Sequence, residues 1–350
     1  MRRRAFLAAC AALGGGAAFR GANAGSGPVR LAAAWDTPDG RHHVGLIEVG
    51  AEGAKASASI EVPTRAHGLL AEADGTILAL ARRPGEWLLR WSPRDGTADW
   101  HWNDPERRIT GHVAALGHFR YTTEADLDSG AGLVVQRDAH SLAPLAVWQT
   151  HGIDPHQLIV DVDGSLLVAN GGVPTAAETG RAKRNLAAMD SSLVRLDAAT
   201  GRLRGQWRLA DRRLSIRHLA RGACGLVGIA LQAEHDDPAD RAAAQVLALF
   251  DGRRITVPDA SAALAGYGGS IVATTGTNSG FAVSCPRAHG IALFDSGGTL
   301  RALHRIEEAC ALAQTGGGLW YGGSGHVGAF DHAVEYRLPG IRLDNHWVAA

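Results

Sequence analysis

The run His156-Gln157-Leu158-Ile159-Val160-Asp161, turned at Asp163-Gly164 into Ser165-Leu166-Leu167-Val168-Ala169-Asn170, decides how this chain folds. Both arms are aliphatic and β-branched, and an Asp-Gly pair between such arms is a hairpin signal. After an excursion, Ser192-Leu193-Val194-Arg195-Leu196 supplies a third strand that closes at Asp197. Ala199-Thr200-Gly201 then turns it into a fourth, Arg202 to Leu209. Four antiparallel strands in one unit make a propeller blade.

The unit recurs. Phe250-Asp251, Phe294-Asp295 and Phe330-Asp331 close strands as Leu196-Asp197 does, and Asp74-Gly75 repeats the hairpin turn. Inner strands in one register begin near His67, His112, His156, His218, Ser270, Cys310 and His346, at intervals of 45, 44, 62, 52, 40 and 36 residues. Insertions at 171–191 and 234–244 lengthen two of them. Recurrence at this spacing predicts an all-β, seven-bladed β-propeller. The last unit has only Asn345-His346-Trp347-Val348 before the sequence stops, so its other strands are expected from Val29 to Trp35, Val44 to Val49 and Ala56 to Val62. N- and C-terminal strands sharing one blade would close the ring and remove its sheet edges.

Composition narrows the function. The 350 residues carry 35 basic and 35 acidic side chains, which argues against neutralising nucleic-acid phosphates. Lysine occurs only at Lys55 and Lys183, which leaves little room for lysine chemistry. The 45 glycines follow no triplet period, which excludes a collagen-like chain.

The first residues read as an address. Arg2-Arg3-Arg4 precedes a short apolar run from Ala8 to Phe19, and Ala22-Asn23-Ala24 fits an A-x-A cleavage pattern. Arg3-Arg4-Ala5-Phe6-Leu7 predicts a twin-arginine signal over 1–24, a periplasmic product, and one propeller domain over 25–350. Cleavage would remove four arginines and no acids, leaving 31 basic against 35 acidic residues. The remaining cysteines, Cys224, Cys285 and Cys310, are an odd set, so three buried thiols are expected rather than a disulfide framework.

Several segments together carry a resemblance: Tyr121-Thr122-Thr123-Glu124, Gly152-Ile153-Asp154-Pro155-His156, Ala169-Asn170-Gly171-Gly172, Gly180 to Asn185, Ser215-Ile216-Arg217-His218 and Asp344-Asn345-His346. Through them the chain resembles the exported bacterial family known as domain of unknown function family 1513. Leu343 stands where that family is expected to prefer an aromatic residue, and Trp347 where an aliphatic one is usual, but the Asp-Asn-His core is intact. The resemblance implies a seven-bladed propeller and partners among iron-regulated envelope proteins such as imelysin-like ones. It implies no activity.

The inner strands of a propeller line its channel. Five of the seven expected here place an imidazole near one mouth: His67, His112, His156, His218 and His346. Imidazole is the commonest ligand for zinc, copper and iron, and a carboxylate such as Glu124 or Asp126 can complete such a site. Opposite strands are expected to lie too far apart to share one ion, so neighbouring histidines plus Glu124 form the predicted metal set. Arg181 and Lys183, with Ser270 at the head of a strand, are the candidates for holding a carboxylate, a haem propionate or another small ligand. The competing reading is structural: each histidine bonds a neighbouring carbonyl and fixes the angle between units. The function expected is therefore a monomeric periplasmic propeller binding iron, copper, haem or a small ligand. A protein-docking scaffold is the alternative, as is a lactonase or oxidoreductase by analogy of fold. Ser270 and Ser284 lack the G-x-S-x-G elbow of a serine hydrolase.

Overall fold

The computed structural model describes residues 28–175, 185–260, 264–276, 279–316, 318–330 and 334–350. The expected signal at 1–24, and Arg181 and Lys183, lie outside the described residues.

The Asp163-Gly164 hairpin shows how the local sequence builds the strands. Gly164 takes a positive φ of 77°, its N–H donates to the Asp161 carbonyl, and the Asp163 carboxylate caps the Ser165 N–H at 2.9 Å. A side chain at that φ would be strained, which is why the turn carries glycine. Pro155–Val160, Leu166–Asn170, Ser192–Leu196 and Leu203–Arg208 then pair in sequence order as one antiparallel sheet.

Among the described residues there are six hydrogen-bonded sheets, five of four strands and one of six. This corrects the expectation of seven separate blades. The reason is the 16-residue strand Val334–Ala349. Its first half pairs with Gly318–Ala329 and its second with Val29–Asp36, and Arg342 pairs both Ser324 and Asp36. The strands expected to form a seventh blade are thereby fused, without a break, into the sheet before them. The N-terminal strand pairs directly with the C-terminal one, from Leu31 opposite Ala349 to Asp36 opposite Arg342.

The inner strands Ala66–Ala71, Arg107–Leu116, Pro155–Val160, Leu214–Arg221, Ser270–Thr274, Ala311–Thr315 and the second half of Val334–Ala349 each pack on the next around the channel, and the last packs on the first. Apolar clusters fill the wedges between sheets. Trp87, Trp91, Ile77 and Leu89 meet Ala32, Val44 and Leu46 in one, and Phe281 and Phe294 meet Leu247 and Leu249 in another. Each large side chain so buried contributes about 1.5–3 kcal/mol. The 234–244 insertion forms the short helix Pro238–Ala243, whose Ala239 N–H donates to the capping carboxylate of Asp237. Cys285 is buried and Cys310 partly so, but Cys224 is exposed, which corrects the expectation of three buried thiols.

Candidate metal centre

The five histidines meet in the channel as a closed ring of imidazoles. Successive ring centroids lie 4.5 Å apart for His346 and His67, 4.9 Å for His67 and His112, and 4.8 Å for His112 and His156. His156 and His218 are 4.6 Å apart, and His218 closes the circuit to His346 at 4.4 Å. Even the separation of His67 and His218, across the ring, is only 6.4 Å. The side chains thus reach towards the channel axis, and the ring nitrogens that lie within 4.8 Å of one another come from consecutive rings.

Strand irregularity aims them there. Between Ala66 and Leu69 the inner strand has an extra residue relative to its partner, so pairing lapses at His67. The lapse recurs between Ile109 and Val113 around His112, between Pro155 and Leu158 around His156, and between Ile216 and His218. In the last strand it falls between Leu343 and Trp347 and contains Asp344-Asn345-His346. The two inner strands without a histidine, Ser270–Thr274 and Ala311–Thr315, pair without a shift. A bulge rotates a side chain out of the pleat, and among the inner strands it occurs only in those that carry a cluster histidine, the unpaired residue beside His218 being Arg217. Glycine lets the bulged strands touch: a Cβ on Gly68 would lie 2.1 Å from the Gly111 carbonyl oxygen, and Gly111 itself has a φ of 112°.

Two ionic groups support the ring. Asp344, buried, is hydrogen-bonded to His67 Nδ1 at 2.8 Å and ion-paired with Arg65 at 2.9 Å, with Arg82 at 3.9 Å. Asp154 binds Arg217 at 2.7 Å and also pairs with Arg83. Burial opposes ionisation of Asp344, but the His67 bond and the Arg82 and Arg65 guanidiniums outweigh it, holding its carboxyl well below the usual range. Burial also pushes all five imidazoles below their ordinary value, with Asp344 opposing the effect at His67. Neighbouring groups disfavour a proton further: His67, His346 and Arg83 at His112, and His218, His112 and Arg217 at His156. The cluster is neutral near pH 7, with its lone pairs available.

Those lone pairs have few takers. His112 Nε2, His156 Nδ1, His218 Nδ1 and His346 Nε2 are buried with no hydrogen-bond partner. A buried polar atom without a partner costs about 1–3 kcal/mol, so four in one place require an explanation. Two sets of ring nitrogens, His67/His112/His346 and His112/His156/His218, each lie within 4.8 Å of one another. Small side-chain movements would bring each set to the roughly 2.0–2.1 Å ligand distance of zinc. A planar macrocycle would have to part rings that are already in contact, so the ring suits a bare ion and not a haem.

The other candidates lie elsewhere. Glu124 stands outside both histidine sets: it is fully buried and held by Arg137 at 2.6 Å, Arg107 at 3.2 Å, Asn103 at 3.0 Å and Thr122 at 2.8 Å. Asp126 caps Ser129. Ser270 is buried opposite Ser284, whose hydroxyl donates to the Cys310 carbonyl, and belongs to neither histidine set. His42 bonds Asp36, and His43 stacks on Trp35. The residues that sequence reasoning missed are Asp344, Asp154 and Arg217. All three stand within two residues of a cluster histidine in the motifs quoted above, and that adjacency was the available signal.

A β-propeller whose channel is plugged by buried imidazoles is the class that fold and site define. The chain belongs to the family described as protein of unknown function (DUF1513), whose model matches residues 60–350. No curated protein matches the chain. Among solved structures it is similar to one in a nidogen/laminin complex, with 11% identity and a TM-score of 0.52, covering 92% of this chain and 98% of that one. It is similar to the same extent to apo AztD from Citrobacter koseri, with 12% identity, a TM-score of 0.52 and the same coverage of both chains. Likeness at these identities concerns the fold alone.

Proposed function

We propose that this protein binds one late first-row transition-metal ion, copper or zinc, through His67, His112, His156, His218 and His346, and handles that metal in the bacterial envelope. The observation that carries the reading is the ring of five contacting imidazoles in which four buried nitrogens have no partner. Neutral imidazole without carboxylate or thiolate suits copper and zinc, whereas magnesium, calcium and manganese want oxygen. Affinity at such a nitrogen site rises towards copper and falls again at zinc, with ferrous iron weaker. Hydrogen-bonding to neighbouring carbonyls does not account for those four nitrogens, which have no partner. An export signal at 1–24, as the sequence reads, would bring the protein to metal outside the cytoplasm, and iron-regulated envelope partners remain part of this proposal.

The test is a titration of chelator-stripped protein with copper, zinc and ferrous salts in turn. One equivalent of copper or zinc should bind below micromolar dissociation constant, and His112→Ala, which removes a ligand from both sets, should weaken it at least 100-fold. If none of the three metals binds tighter than micromolar, the histidines are structural and the docking-scaffold reading replaces this one.

A further inference from the structure

We infer that the cluster is a two-position relay for one metal ion, in which His112 is the hand-off ligand between an entry position at His156 and His218 and a resting position at His67 and His346. The inference rests on the metal-binding reading above and adds a path to it. His112 belongs to both three-nitrogen sets. A neutral imidazole presents a single lone pair, so two ions cannot hold His112 together. An ion can instead exchange ligands one at a time while staying bound to His112, never fully released.

The two positions are not equivalent. At the His67 end Asp344 accepts the Nδ1–H at 2.8 Å, which fixes the ring with Nε2 presented and makes that nitrogen a stronger donor. At the other end no such bond holds His156 or His218, the Nδ1 of each being buried without a partner. An ion therefore rests at His67/His112/His346 and only passes His112/His156/His218.

The cavities give the direction. One of about 400 Å³ reaches Thr110 and Asp154, each two residues before a cluster histidine, and among the described residues its charged lining is Asp126, Asp128 and Asp154 against Arg83 and Arg108. Another of about 570 Å³ reaches Arg342, two residues before Asp344, and is lined by Asp36 against Arg337 and Arg342. A cation is drawn to the first and repelled from the second.

Stopped-flow loading with zinc salt, followed by release to a chelator, tests the relay. His156→Ala with His218→Ala should slow loading tenfold or more and slow release with it, because residues on a path govern both directions. His67→Ala with His346→Ala should instead speed release at least 30-fold. Thermal melts confirm folding; should the first pair unfold, His156→Gln with His218→Gln carries the same test. If both pairs speed release and leave loading alone, the five histidines are one site and there is no relay. Two equivalents bound with similar affinity would also overturn it. A wild-type protein that binds no metal is a different result, one that defeats the metal-binding reading itself.

Discussion

His67 and Asp344, 277 residues apart in the chain, are joined by a 2.8 Å hydrogen bond that links the first inner strand to the last. An ionised carboxylate can only accept, so the imidazole donates from Nδ1 and its Nε2 lone pair faces the ring. The bond thus clamps the closing strand and sets a ligand at the same time.

Asp344→Asn should separate these roles. The amide cannot hold Arg65 and His67 as the carboxylate does, and breaking a buried pair costs about 3–5 kcal/mol. Metal affinity should fall about 10–100-fold in protein that remains folded. Competition titration alongside a thermal melt measures both, and wild-type affinity in the variant would reduce Asp344 to a clamp.

Stability should depend steeply on pH below neutrality. The five imidazoles are held below their ordinary value of 6.5, so in acid the unfolded chain takes up protons that the folded chain refuses. Their stabilisation is intact above about pH 6.5 and is lost as pH falls below it, by about 1.4 kcal/mol per pH unit for each imidazole in that window. The unfolding midpoint should drop sharply between about pH 7 and 5, and His112→Gln should flatten the slope. An equal slope in wild type and variant would show that the ring is protonated in the fold.

Glu124→Gln should damage the fold and spare the metal. The change leaves the buried Arg137 without its 2.6 Å carboxylate partner, at a cost of about 3–5 kcal/mol. Denaturant unfolding reads the loss, and metal affinity in the folded fraction should match wild type. A large drop in affinity would restore Glu124 to the site.

Gly68→Ala tests the contact between neighbouring bulges. Its methyl would meet the Gly111 carbonyl oxygen at 2.1 Å, and backbone on both sides leaves nowhere for it to go. We expect about 1–3 kcal/mol of destabilisation and weaker metal binding as His67 and His112 move apart. A variant as stable as wild type, with its affinity intact, would mean that the two strands can separate freely.

The sequence by itself determined the strand units, their turns and the register of the histidines. Alternating apolar runs bounded by Asp-Gly pairs are local chemistry, and Gly164 needs only its own φ to turn the chain. The five imidazoles were legible because they recur at one position of a repeat. What the tertiary structure decided is everything that depends on distance across the ring. Glu124 and Asp344 both neighbour motif residues, yet three-dimensional pairing sends one to Arg137 and the other to His67. The count of sheets turned on Val334–Ala349 pairing on both sides without a break, a long-range event with no local signal. The convergence of the five rings came from strand bulges. A bulge exists only relative to the partner strand that lacks the extra residue, so no single segment of sequence can show it.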